Sequence, residues 1–203
     1  RDAVVVERTT IDGKEAAFLR FEIAGEVFTT TVIGVSDAIE PIVSEEPNLD
    51  GNDSVDGGAQ ADSLDGGAGA DEIEAGGGDD VVDGGEGADL IEGEQGDDNL
   101  TGGDGQDTLI GGNGDDLIKG QGQGDELAGG NGNDTLYGGS GYDILSGGEG
   151  NDVLDGGSYN DTLEGNDGDD TLDGGSGQDL LIGGKGSDVY LLSKGDDTIE
   201  SYQ

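Results

Sequence analysis

A large apolar or aromatic residue returns at every ninth position over most of this chain: Val55, Leu64, Ile73, Val82, Ile91, Leu100, Leu109, Ile118, Leu127, Leu136, Leu145, Leu154, Leu163, Leu172, Leu181, Tyr190 and Ile199. An aspartate stands two places before each of them, and glycine dominates the five places before the aspartate. Counted from Asn48, the unit is Gly-Gly-x-Gly-x-Asp-x-U-x with U the apolar residue, and seventeen units fill residues 48–200 without insertion or deletion. An unbroken short period marks a stacked repeat, in which each unit buries its apolar face only against its neighbours. The first six places predict a loop and the last three a very short strand. The eighth-place side chain then enters a thin core and the seventh faces outward.

Residues 1–47 follow a period of two instead. Ala17, Leu19, Phe21 and Ile23 alternate with Phe18, Arg20 and Glu22, as a half-buried strand over 15–23 requires. Asp12-Gly13, between 4–11 and 15–23, is a two-residue hairpin signal. A third strand is expected over 27–35, rich in Thr, Val and Ile, and a short acidic linker over 41–47. A three-stranded meander is marginal by itself. Residues 1–47 are therefore expected to be the edge of an upstream β domain or an N-terminal cap, and 48–203 the repeat domain. No polar constellation in 1–47 supports a ligand site.

Composition sharpens the picture. Glycine is 46 of 203 residues, hydrophobic residues are 30%, and the net charge is −42, values that describe a chain unable to fold unaided. One buried aliphatic side chain per unit falls short of the entropy of ordering nine glycine-rich residues. Stacked aspartates worsen it: at a strand spacing of about 4.8 Å, like charges repel by roughly 3.5 kcal/mol at an effective dielectric near 20. Divalent cations between the carboxylates reverse that sign. The expectation is a chain disordered without metal and folded with it.

Histidine and cysteine are both absent. That rules out disulfides and Ser/His or Cys/His nucleophiles, and it argues against zinc, copper and iron–sulfur chemistry. The glycine spacing has the wrong period for a dinucleotide fingerprint, and no phosphate-binding loop with Lys is present. This chain is read as no enzyme by itself. No stretch approaches the roughly 18–20 apolar residues of a membrane-spanning helix, and strong acidity argues against nucleic acid and anionic membranes as partners. No signal-peptide pattern opens the chain, and methionine is absent even at position 1, so a fragment or processed product is expected.

An aspartate closing a glycine-rich turn suits a hard cation such as Ca²⁺, which takes six to eight oxygens from carboxylates and backbone carbonyls together. The units Gly84-Gly85-Glu86-Gly87-Ala88-Asp89-Leu90-Ile91-Glu92 and Gly129-Gly130-Asn131-Gly132-Asn133-Asp134-Thr135-Leu136-Tyr137 carry a resemblance here. The array resembles the RTX (repeats-in-toxin) hemolysin-type calcium-binding domain over about three-quarters of the chain. The resemblance implies an all-β fold, a parallel β-roll that is a right-handed solenoid with two units per coil. Loops two units apart then stack along one edge and hold Ca²⁺ between them.

The ligands it implies are the sixth-place carboxylates. One edge carries Asp53, Asp71, Asp89, Asp107, Asp125, Asp143, Asp161, Asp179 and Asp197, and the other Asp62, Asp80, Asp98, Asp116, Asp134, Asp152, Asp170 and Asp188. Backbone carbonyls of the loops join them, as at Gly111, Asn113 and Asp115, at Gly129, Asn131 and Asn133, and at Gly147, Glu149 and Asn151. Nine stacked loops leave eight gaps and eight leave seven, so at most fifteen interloop Ca²⁺ sites are expected. The resemblance also implies a secreted or cell-surface bacterial protein, exported by type I secretion machinery and folding outside the cell. Its alternatives are the accessory C-terminal module of a secreted protease, lipase or polysaccharide-modifying enzyme, or the stalk of an adhesin. An ice-binding ladder is not present at the third place, which runs Asp50, Ala59, Ala68, Gly77, Glu86, Gln95.

Departures from the unit carry expectations of their own. Gln60, Gln123 and Tyr159 replace the fourth-place glycine, and each is strained if that place needs a positive φ. Gln121, Glu94 and Asn166 replace second-place glycines, and Ala75 a first-place one. The edge from Asp80 to Asp188 keeps its fourth-place glycine and is expected to fill first. Fifth-place acids such as Asp79, Asp97, Asp115, Asp169 and Asp196 are expected to point to water and lend only a carbonyl, not to act as acid–base pairs. Tyr137, Tyr142 and Tyr159, at three different places of the unit, are read as surface packing before a platform for a sugar ring. The seventh-place apolars Val81, Leu90, Leu117, Ile144, Val153, Leu180 and Val189 stand either as scattered surface residues or as a line that docks a neighbouring domain.

Overall fold

The computed structural model describes residues 51–200 and, by backbone alone, three strands before them. Val5–Ile11, Lys14–Ile23 and Glu26–Val32 form an antiparallel sheet in sequence order. Ile11 pairs with Lys14 and Ile23 with Glu26. The Asp12-Gly13 turn, the end of the third expected strand, the 41–47 linker and the first loop's Asp50 lie outside the described residues. The chain divides into two compact units, Arg1–Glu46 and Pro47–Gln203.

The second unit is a parallel β-solenoid, and the described residues contain no helix. Successive strands alternate between two parallel sheets, so each strand pairs with the strands two units away. Leu109 lies beside Ile91 and Leu127, and Leu136 beside Ile118 and Leu154. One sheet thus takes the strands that follow Asp53, Asp71 and so on to Asp197, and the other those that follow Asp62 to Asp188. This matches the two units per coil that the resemblance implied.

Strands are longer than the three expected residues. Most run six residues, from the seventh place of one unit to the third place of the next, as in Leu117–Gly122 and Thr135–Ser140. Paired glycines have no strand propensity of their own. Stacking in register gives their backbone groups ladder partners, and the loop shrinks to three residues. Only near the ends, and at Thr171–Asp173 with Ser176–Gly177, is the strand short or broken.

Alternation along the strand places the sixth, eighth and next first places on the inner side. The eighth-place residues from Leu64 to Leu181 are buried, with Val55 and Tyr190 partly so. Ile199, in the last described coil, is 42% exposed because no further described coil covers it. Tyr190 keeps its ring in the core row and accepts a hydrogen bond on its hydroxyl from Gly183 N at 2.9 Å. Seventh-place side chains face outward as expected, Val81, Ile144, Val153 and Val189 being exposed.

The inner first place explains its glycine. A Cβ on Gly66 would stand 2.6 Å from Gly84 O and 2.8 Å from Asp71 Oδ2, both too close for carbon. Positive φ is needed at two other places. Second-place Gly130 (115°) and fourth-place Gly132 (142°) show both, so the second place shares a constraint that the sequence suggested only for the fourth. Glu94, Gln121, Gln123, Tyr159 and Asn166 all adopt positive φ in these positions, at about 1–3 kcal/mol each. Gln60 does not, so the strain expected there is absent.

Truncating one rung of the core tests its continuity. Leu136→Ala is expected to lower the unfolding free energy of the folded roll by about 2–5 kcal/mol, read from denaturant melts. A loss below about 1 kcal/mol would mean that the rungs do not form one packed column.

Candidate metal sites

The sixth-place aspartate is the last loop residue, and alternation turns its side chain inward rather than to water. From Asp62 to Asp179 every one is at most 5% exposed. Each carboxylate then splits its oxygens. Asp134 Oδ1 accepts a hydrogen bond from Asp116 N at 2.8 Å, and Asp152 Oδ1 accepts one from Asp134 N at 2.8 Å. The same bond recurs along both edges, for instance from Asp71 N to Asp89 Oδ1 at 2.9 Å. A carboxylate thus binds the amide of the aspartate one coil earlier.

The second oxygen has no such partner. Oδ2 is buried without a hydrogen bond in every sixth-place aspartate from Asp53 to Asp179. These are the aspartates with a further loop stacked beyond them. Beside most of them lies a first-place carbonyl of the next coil: Gly129 O with Asp116 Oδ2, over the Cα of Gly111, and Gly147 O with Asp134 Oδ2, over the Cα of Gly129. Gly111 O meets Asp98 Oδ2 over Gly93 in the same way. Two electron-rich oxygens share a buried space and neither is a donor, so a cation or a proton is needed there.

Third-place carbonyls are placed differently. Asn113, Asn131 and Glu149 O accept from Gly96, Gly114 and Gly132 N at 2.9, 2.9 and 2.8 Å, leaving each one lone pair. Fifth-place residues do more than the sequence suggested. Their side chains are exposed, yet Asp97 N donates to Asp79 Oδ1 at 3.1 Å, Asp115 N to Asp97 Oδ1 at 2.9 Å and Asn133 N to Asp115 Oδ1 at 2.7 Å. Asn151, Asp169 and Ser187 N continue the ladder onto Asn133, Asn151 and Asp169. An Asx residue two units apart on one edge was the available signal. Asp188 and Asp197 close the two rows, receiving Asp170 N at 3.2 Å and Asp179 N at 3.3 Å.

These repeats match the family model of the RTX calcium-binding nonapeptide repeat in a set of segments running from residue 49 to residue 201. The chain belongs to the RTX calcium-binding repeat family. A comparison with curated proteins gives no match. RTX nonapeptide repeats bind Ca²⁺, and this solenoid is a repeat calcium-binding module and not a catalytic fold. The residues fit that ion: the inner spaces, as at Asp116 and Asp134, offer a hard carboxylate oxygen and a backbone carbonyl and no nitrogen or sulfur ligand. Lys185 and Asp167 form an ion pair at 2.7 Å, exposed on the surface, and among the described residues no protein cation pairs with the buried RTX carboxylates from Asp71 to Asp179. No helix of the described residues is long and apolar enough to cross a membrane.

Electrostatics agrees with the geometry. Burial, and then the neighbouring carboxylates, push Asp125, Asp134 and Asp161 up to about 7 and Asp98, Asp107 and Asp170 up to about 6, against backbone hydrogen bonds that lower them. Folded values above the unfolded 3.8 mean that the metal-free fold binds extra protons. Their stabilisation is therefore complete below about pH 4 and lost as pH rises through about 6 to 7. In a chelator, far-UV circular dichroism is expected to show more β structure at pH 5 than at pH 8. Equal or weaker signal at pH 5 would contradict it. Ca²⁺ affinity moves the other way and falls as these carboxyls protonate.

Proposed function

We propose that this chain is the calcium-driven folding module of a secreted bacterial RTX protein, disordered as a polyanion without Ca²⁺ and folding outside the cell on binding it. The sixth-place carboxylates and the first-place carbonyls hold the ions, in up to fifteen gaps between stacked loops. The observation that carries this reading is the row of buried, unbonded Oδ2 atoms, most of them beside a carbonyl oxygen. Low cytosolic Ca²⁺ keeps the chain unfolded for passage through type I machinery. Extracellular modules of about 10⁻⁴–10⁻³ M affinity fill outside. Residues 1–47 serve as the edge of an upstream domain or as the cap of the first coil.

The decisive experiment is circular dichroism at neutral pH, first in chelator and then with millimolar Ca²⁺. A disorder-to-β transition is expected, with Mg²⁺ a poor substitute because it demands octahedral geometry and gives up water reluctantly. A β spectrum that persists in chelator at neutral pH would overturn the proposal.

The loops should also be unequal. The loop of Asp125 carries two side chains at positive φ, Gln121 (84°) and Gln123 (69°), and that of Asp161 carries Tyr159 (83°). Asp134 sits among intact loops, with glycine at its second and fourth places. Asp134→Ala removes a carboxylate from as many as two well-formed gaps and is expected to raise the calcium midpoint more than Asp125→Ala. Equal midpoint shifts would show that glycine at these places does not limit ion binding.

A further inference from the structure

Four loops that stack consecutively on one edge differ from the rest of the protein. They end at Asp125, Asp143, Asp161 and Asp179, and their first five places, residues 120–124, 138–142, 156–160 and 174–178, contain only Gly, Gln, Ser, Tyr and Asn. The chain has 49 acidic residues, and no other four successive loops on either edge lack a charge in these places. Register places their third positions in a row: Gly122 beside Ser140, Ser140 beside Ser158, and Ser158 beside Ser176. A neutral strip of hydroxyl and amide groups therefore runs along a polyanionic solenoid.

Two tyrosines that stand at different places of the unit meet on this strip. The rings of Tyr142 and Tyr159 are 5.6 Å apart between centroids and inclined at 52°. They remain 67% and 58% exposed, and Tyr137, on the strand that leads into the Tyr142 loop, is 41% exposed. Tyr159 holds a glycine's backbone: φ is 83°, and its N donates to Ser176 O at 2.8 Å just as Gly132 N donates to Glu149 O at 2.8 Å. A bulky residue at positive φ is a conformational cost that a glycine there would remove. The ring enters no core in return. It lies on the surface beside Tyr142, next to Asn160, whose Oδ1 accepts from Gln178 N at 2.9 Å.

We propose that this strip is a binding site for a neutral polysaccharide. Sugar rings present apolar C–H faces that stack on exposed tyrosines, and their hydroxyls pair with the serine, asparagine and glutamine groups alongside. Loops about 4.8 Å apart offer a repeating polymer a repeating set of contacts. The net charge of −42 opposes anionic glycans. The strip has no aliphatic anchor for an apolar protein partner. The site is independent of the calcium reading, since it uses outward side chains and not the inward carboxylates.

Titration of the Ca²⁺-loaded chain by calorimetry or NMR with cellohexaose, mannohexaose and maltohexaose, and with a galacturonate hexamer as the anionic control, tests this. At least one neutral hexasaccharide is expected to bind at millimolar concentration or below, and the galacturonate not to. Tyr159→Gly restores the residue that the backbone favours, so its calcium midpoint is expected to be no worse than that of the parent. Its glycan affinity is nevertheless expected to fall at least about tenfold, and Tyr142→Ser to do the same. The proposal is overturned if none of the three neutral sugars binds, if the galacturonate binds as tightly, or if Tyr159→Gly retains the parent affinity. It also falls if Tyr159→Gly alters the oligomeric state alone, which would make the tyrosine pair a contact between copies. The calcium midpoint, measured separately, keeps failure of the metal reading distinct from failure of this one.

Discussion

Burial of one aspartate carboxylate per unit, stacked above and below by its own kind, sets the terms for everything else in this solenoid. Oδ1 ties each coil to the one before it through a backbone amide, as Asp134 does with Asp116. Oδ2 is left facing a carbonyl oxygen, as Asp116 Oδ2 faces Gly129 O. Half of each carboxylate is therefore structural glue that needs no metal, and half is a demand for positive charge that the chain does not meet. An apolar column one side chain wide cannot outweigh a column of uncompensated buried anions. Proton or divalent cation, the compensating charge must come from solution.

The glycine pattern follows from the same packing. First-place glycine exists because the aspartate of its own unit and the carbonyl of the next coil lie over its Cα, as Asp71 and Gly84 do over Gly66. Ala75 shows that one methyl group can be taken into this space, and it is fully buried. Second- and fourth-place glycines serve the turn instead, through positive φ. A Cβ at either place would also crowd a carbonyl of the preceding coil, as Gly112 O at Gly130 and Gly114 O at Gly132, so Glu94, Gln121, Gln123 and Asn166 occupy costly positions. All three glycines of one unit thus answer to close approach between coils, and the second and fourth carry a torsional demand as well.

Much of this was readable in the sequence, because a nine-residue period without insertions leaves little freedom. The eighth-place row from Leu64 to Leu181 is the core, and the parallel sheets and eighteen-residue coil follow the family resemblance. What escaped was whatever depended on contacts between coils. Hydropathy puts aspartate outside, yet Asp170 is 0% exposed, because the partner of its Oδ1 is an amide eighteen residues away. Strand length escaped because glycines such as Gly111 and Gly112 signal turn locally but pair as strand in register. The fifth-place ladder of Asp79, Asp97 and Asp115 escaped for the same reason: an exposed acid looks solvated until its stacked neighbour's amide is known.

Charge and fold are two faces of one design. A net charge of −42 keeps the unfolded chain expanded and soluble, since self-repulsion opposes collapse. The aspartates that contribute most regularly to that charge are the ones whose burial the folded state requires. Neutralising them removes the repulsion and completes the inner packing in the same step. Because each carboxylate bridges two coils, a coil gains its full set of partners only when its neighbours are in place, and the stability of one coil is coupled to that of the next. A loop with a strained residue, such as that of Asp125, then weakens the array at a point without breaking the ladder. Its Oδ1 still accepts Asp107 N at 2.9 Å, so the coil register survives beside the positive-φ residues Gln121 and Gln123.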